Sequence, residues 1–405
     1  MRFANPYRGM RGLPADVWII FATTLVNRAG MMALPFLVLY LTKSLGVSAS
    51  LGGLAISFYG IGGLISAPMA GALADRIGPY AVLRTSLALT GVVLLIIPLV
   101  PNYFGVVALT FLWAVVADAA RPATMAALTG SASPEQRKVA IAVNRLAVNL
   151  GMSVGPAVGG FLALVSFKLL FVVDGLTSLA AAGVLSALLW RRRADVALVA
   201  QHARAEEPAG PAQRESRIVA LRDPAMRTFL AASLLLHFVF SQHEGAMPLY
   251  LVRDLHHKES LYGSLFVLNT LLIVAIEVPL NVAMSHWSAR RANALGAFLI
   301  AIGFGALPFA HAIPAIAASV VVWTFGEMVF FPAATAYVAE LAPAGRIGAY
   351  MGATSANFSL ALILGPWIGT TLLDSRGSVF TWTTMLVVGL AAMTILLLSS
   401  ERRDL

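Results

Sequence analysis

Twelve apolar runs, each long enough to cross a lipid bilayer, limit what this chain can fold into. About 20 apolar residues in an α-helix span the hydrocarbon core, and a helix satisfies its own backbone hydrogen bonds there. We therefore expect an all-α membrane protein with twelve transmembrane helices. The runs occupy residues 15–43, 50–74, 80–100, 104–129, 139–165, 169–190, 226–252, 261–286, 292–311, 314–341, 347–373 and 378–399.

The composition agrees with this class. Hydrophobic residues make up 59% of the 405 residues and charged residues only 12%, with a mean hydropathy of +0.82, which is more apolar than a soluble domain of this size requires. The chain has no cysteine, which excludes disulfides and thiolate metal sites. We expect no cofactor and no metal. The length of the first run and its internal Arg28 favour a retained helix over a cleaved signal peptide.

The net charge of +9 is a topology signal. When the twelve helices alternate in direction, most Lys and Arg residues fall on the side of both termini and of the loop 191–225. This bias predicts that the termini and the loop face the cytoplasm, in a multi-pass protein of the cytoplasmic (inner) membrane. The distribution argues against nucleic-acid binding. The expected partners of a monomer are the lipid bilayer, protons and a small-molecule substrate.

The loop at 191–225 is the only long polar segment, and its composition is typical of a linker. It separates two six-helix halves, 1–190 and 226–405. The halves resemble a repeat, because Gly155-Pro156 aligns with Gly365-Pro366 at a spacing of 210 residues. Internal repeats joined by a linker are typical of transporters with two bundles around a central site. We expect two bundles related by pseudo-twofold symmetry.

The short segment 71–84, between the second and third apolar runs, contains two glycines, one acid and two arginines. It resembles the signature of the major facilitator superfamily (MFS), which lies there on the cytoplasmic side. The resemblance implies a gate in which the acid contacts the start of helix 11, around 345–348, when the cytoplasmic side is closed. The gating residues are then Gly71, Asp75, Arg76, Gly78 and Arg84.

The fifth run contains glycines at positions i, i+4 and i+8, a spacing that lets another helix approach closely. It resembles the antiporter motif of MFS drug:proton exporters, which lies where the two bundles meet in that family. The alternative is a packing seam with no bearing on transport direction. The fourth run departs from the exporter pattern, because its arginine stands beside Pro122. The motif residues are Gly151, Gly155, Pro156, Gly159 and Gly160.

Ionisable residues inside the runs are the candidates for chemistry, because each is costly in a membrane. In the MFS fold, helices 1, 4, 7 and 10 line the central cavity. That resemblance, with residues from helices 5 and 8 added, gives two sets. The expected substrate-cavity residues are Asn27, Arg28, Arg121, Arg145, His237 and Gln242. The expected proton-coupling residues are Glu327, Glu244, Glu277, Asp118 and His243.

Glu327 is the strongest candidate for proton transfer, since it lies about 13 residues into helix 10, near mid-membrane. A carboxyl in an apolar, partly wet site holds a proton more readily than in water. For Asp118 and Arg121 the alternative is a structural ion pair, because they lie three residues apart on one helix. Arg145 lies close enough to the cytoplasm to extend its side chain to the surface.

The expected function is proton-coupled export of small amphipathic solutes by alternating access, without enzymatic conversion. A second resemblance supports an alternative: Arg28 on helix 1 and Glu327 on helix 10 are similar to the pair with which proton-coupled peptide transporters hold a peptide. That alternative is symport of a peptide-like or zwitterionic solute. A lipid flippase is a third possibility. No phosphate-binding Gly-x4-Gly-Lys-Ser/Thr string occurs, which argues against an ATP-driven pump.

Overall fold

The computed structural model describes residues 12–133, 135–190, 219–343 and 346–398, and it omits a few side chains within those ranges, among them Asp75. The regular structure in this part of the chain is helical, with no strand. A helix leaves no backbone group unpaired along its length, which suits a chain that crosses lipid. The predicted linker lies largely outside the described residues.

The twelve predicted spans match the helices once breaks and turns are considered. Ten described helices are long and apolar enough to cross a membrane. One of them, Ile347–Leu398, has 52 residues, about twice what one crossing needs, and turns at Gly377 (φ 77°). The first span is broken into two shorter helices, Ala15–Gly30 and Leu37–Ser44. The ten helices, one of them doubled, account for eleven crossings, and the broken first span is the twelfth.

The first half of the chain contains α1 to α8. Their bounds are α1 Ala15–Gly30, α2 Leu37–Ser44, α3 Ala49–Ile77, α4 Pro79–Ile96, α5 Tyr103–Ala117, α6 Ala120–Ser131, α7 Arg137–Val165 and α8 Phe167–Trp190. Helix α1 packs against α7 and α8, and α4 packs against α8. The fourth predicted span is two helices, α5 and α6, interrupted at Asp118 and Ala119, three residues before Pro122.

The second half contains α9 to α14. Their bounds are α9 Pro224–Phe240, α10 Ala246–Leu249, α11 Glu259–Ala283, α12 Ala289–Gly305, α13 Ile313–Leu341 and α14 Ile347–Leu398. Helix α9 packs against α14, α12 against α13 and α14, and α11 against α13. The seventh span is interrupted by a 3₁₀ turn at Ser241–His243 and ends in a π-helical turn, Tyr250–Asp254.

The chain divides into two compact units that differ in one respect from the two halves predicted from sequence. The first unit comprises Met1–Phe36 and Ile61–Pro208, and the second comprises Leu37–Gly60 and Ala209–Leu405. The segment Leu37–Gly60 therefore belongs to the second unit, although sequence order places it in the first half. The boundary between the two units at Phe36 and Leu37 coincides with the end of the break between α1 and α2.

Specific contacts hold the segment Leu37–Gly60 within the second unit. Lys43 Nζ lies 2.5 Å from Glu259 Oε1, and the hydroxyls of Ser50 and Thr371 are 2.7 Å apart. Residues 37–41 of α2 are fully or almost fully buried. Because exposed ion pairs contribute only about 0–1 kcal/mol, close packing of the buried α2 side chains also contributes to holding the segment.

The turn between α3 and α4 requires glycine at one position of the signature segment. Gly78 has φ 88° and ψ 149°, a conformation that is strained for any residue with a Cβ. At Gly71, a Cβ would meet no described atom within 4 Å. The structure therefore gives Gly78 a conformational role and shows no close approach at Gly71.

We expect Gly78→Ala to destabilise the protein by about 1–3 kcal/mol, because alanine is strained at this φ. Gly71→Ala is the matched control, since it lies in the same segment, on the last turns of a helix, where alanine is favoured over glycine. Thermal unfolding of the purified variants in detergent checks the pair. Equal stability of the two variants would contradict the strained turn.

Candidate functional site

The first unit brings two of the predicted cavity residues close to an acid. Arg28 lies in the last turn of α1, and its Nη1 is 3.0 Å from Met31 Sδ. Asp118 occupies the interruption between α5 and α6, where the charges of Arg121 and Arg28 both act on it. Among the described residues, Asp118 and Arg121 form no ion pair within 4 Å, so their attraction acts without direct contact. These three residues form one electrostatic cluster.

The other polar residues predicted for the first-unit cavity are held by a neighbouring helix or are exposed. Asn27 Nδ2 donates to Ser178 Oγ of α8 at 3.1 Å, which fixes the amide within the unit. Arg145 on α7 has an exposed side chain, in agreement with an arginine that reaches a surface. Arg76 and Arg84 of the signature segment are also exposed. The Asp75 side chain and Gly345 lie outside the described residues, and so does the predicted latch.

The glycine stripe of the fifth span packs against the first span. A Cβ at Gly151 would overlap Arg28 Cβ, and one at Gly155 would lie 2.6 Å from the Met31 carbonyl oxygen. Gly159 faces Met32 in the same way. Pro156 and Gly160 are buried on the same helix. The stripe is therefore a close packing seam between α7 and the break that follows α1, within the first unit.

The second unit repeats this arrangement. Gly365, next to Pro366 on α14, faces the interruption of the seventh span, and a Cβ there would overlap the Ser241 hydroxyl. Gln242, a predicted cavity residue, is fully buried at this contact, with its Nε2 donating to the carbonyls of Phe238 and Gly365 at 3.0 and 2.9 Å. In each unit, the glycine of a Gly-Pro pair packs against the interruption of another helix. This geometry favours a packing role for Gln242.

The acidic site of the second unit lies between α11 and α13. Glu327 is partly buried, and its Oε2 accepts a hydrogen bond from Asn269 Nδ2 at 2.9 Å. The same amide nitrogen lies 3.0 Å from Thr324 Oγ1. Glu277, eight residues further along α11, is close enough to interact with Glu327 electrostatically. Two predicted proton-coupling residues are thus neighbours, and no ion pair of Glu327 is found in the described ranges.

The remaining predicted coupling residues lie at the interruption of the seventh span. His243 Nε2 is 3.7 Å from Glu244 Oε1, and its Nδ1 is 2.6 Å from the Phe240 carbonyl oxygen. Tyr262 donates its hydroxyl to the His243 carbonyl at 2.8 Å. The imidazole is therefore held at Nδ1, and the residue's backbone carbonyl is held by Tyr262, with the Glu244 carboxylate nearby. A small pocket adjoins it, lined by His243, Met247, Tyr262, Leu265, Phe266 and Trp323.

His237 lies apart from this pocket lining. It is 5% exposed and packs against the rings of Phe330, Phe331 and Phe358, with centroid distances of 5.1 to 5.8 Å. Its Nδ1 has no hydrogen-bond partner among the described residues. An imidazole surrounded by phenylalanine rings behaves mainly as a packing group.

Two features of the sites were missed from the sequence. One is the aromatic lining, whose residues come from three separate spans and share no sequence pattern. The other is Asp174 on α8, a buried acid whose Oδ2 accepts from the backbone N–H groups of Met32 and Ala33. A lone acid in an apolar run is a visible signal. In the described part of the chain, no His, Asp and Glu side chains are grouped to hold a metal ion.

Comparisons with known proteins agree with this architecture. The chain is 25% identical over 368 residues to "Uncharacterized MFS-type transporter YqjV" of Bacillus subtilis (strain 168), covering 89% of this chain and 87% of the relative. It is 34% identical over 150 residues to "Multidrug resistance protein MdtG" of Proteus mirabilis (strain HI4320), covering 36% of this chain and 37% of that protein.

The fold is similar to that of solved transporters. A crystal structure of a POT family transporter in complex with a thioalcohol-conjugated peptide matches with a TM-score of 0.75 and 15% identity, covering 97% of both chains. At that identity the likeness shows the fold alone. The sequence matches the profile of the Major Facilitator Superfamily over residues 19–257 and 244–404. That profile covers almost the whole chain. This protein therefore belongs to the Major Facilitator Superfamily and is a multi-pass membrane transporter.

Proposed function

We propose that this protein exports small amphipathic solutes in exchange for protons, by alternating access, as a monomer in the cytoplasmic membrane. The family supports transport, and the relatives named multidrug resistance proteins support export. In this proposal Glu327 carries the proton, and the aromatic pocket next to His243 forms part of the solute-binding site.

The environment of Glu327 is the observation that carries the proposal. The hydrogen bond that its carboxyl accepts comes from the neutral amide of Asn269, and Glu277 adds a second negative charge nearby. A carboxylate without a cation is costly to keep in an apolar region, whereas a protonated carboxyl is not. A site of this kind alternates between protonated and ionised forms as its access to water changes.

The pocket next to His243 supports an amphipathic solute. Its lining is aromatic and aliphatic, which suits the apolar part of such a molecule. Trp323 precedes Glu327 by four residues on α13, and Phe266 precedes Asn269 by three on α11, so each pair shares one helix face. An apolar surface and a proton-carrying acid therefore lie on consecutive turns of the same two helices.

The environment of Arg28 bears on the alternative, symport of a zwitterion. For that function Arg28 should be available to a substrate carboxylate. In the first unit, Arg28 already contacts Met31 and acts electrostatically on Asp118 and Asp174. An arginine shared by two protein acids supports export over symport.

Transport by purified protein in liposomes tests the proposal. The probes are ethidium, a planar aromatic cation, and the dipeptide alanylalanine, each with an imposed pH gradient. We expect ethidium to move against its concentration gradient, opposite to the proton flow, and the dipeptide to stay. Proton-coupled accumulation of the dipeptide in the direction of proton flow would support symport instead. Movement of neither probe under the gradient would contradict the proposed solute class.

The proposed orientation places residues 191–225 in the cytoplasm. The chain has no cysteine of its own, so single cysteines report cleanly. We expect Ser216→Cys to resist an impermeant thiol reagent in intact cells and to react after permeabilisation. Ser375→Cys, in the turn between the last two spans, is the matched control and should react in intact cells. The reverse pattern would overturn the orientation.

A further inference from the structure

A carboxylate from α8 holds the break in the first span. Asp174 Oδ2 accepts hydrogen bonds from the backbone N–H groups of Met32 and Ala33, at 3.2 Å each. These groups lie after the end of α1 at Gly30 and before the start of α2 at Leu37. Because the helix is interrupted there, no carbonyl one turn earlier accepts them in an α-helical pattern.

The two backbone groups lie away from solvent. Met32 is 1% exposed, Ala33 is fully buried and Asp174 is 3% exposed. An N–H group that is buried without an acceptor carries the full desolvation penalty, and lipid offers no replacement. The Asp174 carboxylate therefore supplies the hydrogen-bond acceptor that the interrupted backbone lacks at this place.

Two neighbouring helices pack closely against the break in the first span. On α8, Thr177 lies so near Gly30 that a Cβ there would overlap the Thr177 hydroxyl, and on α7, Gly155 faces the Met31 carbonyl. Small residues of this kind let neighbouring helices fix a backbone without a side chain in between. The unwound segment 31–36 is thus positioned by packing from α7 and by packing and hydrogen bonds from α8.

Charge links Asp174 to the candidate site of the first unit. Arg28 is the charged residue that acts on Asp174 among the described residues, and it also acts on Asp118. Arg28 follows Asn27, whose amide is held by Ser178 on the same face of α8 as Asp174. A change at Asp174 therefore affects both the break and the arginine that precedes it.

We propose that Asp174 is a positioning residue for transport, which fixes the unwound segment 31–36 through the two N–H groups. The segment begins three residues after Arg28, which lies in the last turn of α1. Asp174 therefore sets the backbone geometry beside the cluster of Arg28, Asp118 and Arg121, and the balance between the states of alternating access depends on that geometry. The proposal rests on alternating access alone, and neither proton coupling nor the direction of transport enters it.

The test measures the segment 31–36 directly in the purified full-length protein. Hydrogen exchange by mass spectrometry reports the amides of residues 31–36, and spin labels on Ser133→Cys and Ser285→Cys report the populations of states through their distance distribution. Asp174→Ala removes the acceptor, and Asp174→Asn keeps a neutral acceptor of the same length. Ser178→Ala is the control, since it removes a hydrogen bond from the same helix one turn away.

We expect Asp174→Ala to speed exchange at residues 31–36 by about tenfold or more, because two hydrogen bonds are lost, and to shift the distance populations. Asp174→Asn should keep exchange at residues 31–36 close to that of the parent protein, and Ser178→Ala should change neither readout. If Asp174→Ala does not accumulate, Asp174→Ser replaces it with the same expectation, since its hydroxyl is too short to reach both amides. Parent-like exchange in the acceptor-free variant, equal effects of Ser178→Ala, or failure of asparagine to rescue would each overturn the proposal. A loss of proton coupling in Glu327 variants has no bearing on it.

Discussion

Glu327→Gln is expected to abolish proton-driven uphill transport and to leave downhill exchange of the same solute in place. Glutamine is nearly isosteric and keeps the contact with Asn269 possible, but it cannot take up or release a proton. The solute then moves without a coupled proton, and an imposed pH gradient no longer drives accumulation. Ethidium flux in liposomes, measured with and without the pH gradient, separates proton-driven uphill transport from downhill exchange.

Glu244→Gln is the matched control for this loss. Glu244 lies in the same unit beside His243, outside the hydrogen bonds of Asn269 and Glu327, so its neutralisation should weaken uphill transport only in part. Gradient-driven accumulation by Glu327→Gln at the parent level would show that the proton is carried elsewhere. Glu244 and Glu277 would then be the next residues to test.

Gly155→Ala is expected to lower the stability of the folded protein and its transport rate together. The new Cβ would lie 2.6 Å from the Met31 carbonyl oxygen, and a backbone atom cannot move aside as the end of a flexible side chain can. Overpacking of this kind costs about 1–3 kcal/mol. Transport should fall as well, since the added methyl group presses on the break of the first span.

Gly183→Ala on α8 is the control for Gly155→Ala. A Cβ at Gly183 would meet no described atom within 4 Å, and alanine is favoured over glycine inside a helix by roughly 0.5–1 kcal/mol. This variant should therefore be as stable as the parent or more stable. Thermal unfolding and the amount of folded protein after solubilisation check both variants. A Gly155→Ala protein with parent-like stability would contradict the close packing seam.

The antiporter-like motif predicted part of the helix packing in this protein. From sequence, the glycines at i, i+4 and i+8 predict a close helix approach, and the structure contains that approach between α7 and the first span. The partner helix could not be read from the spacing, because any helix can pack on such a stripe. The link between the motif and transport direction stays a prediction.

The acidic site could be predicted only in part. Glu327 and Glu277 stand out in the sequence, since an acid in an apolar run is costly and needs a function or a partner. Their proximity, and the hydrogen bond from Asn269, depend on how α11 and α13 pack. Residues 58 positions apart in sequence meet through that packing, which no local pattern specifies.

The sequence by itself determined the membrane class, the twelve spans and the family, because apolar run length and glycine-rich motifs are local properties of the chain. Tertiary structure alone decided where the spans break and what holds the breaks. The interruption after Gly30 is stable because Asp174, more than 140 positions away, accepts two N–H groups that the helix cannot pair. The segment Leu37–Gly60 belongs to the second unit because its buried side chains and its contacts with Glu259 and Thr371 lie there. Contacts between residues so distant in sequence are fixed by the packing of whole helices, and the order of residues along the chain does not reveal them.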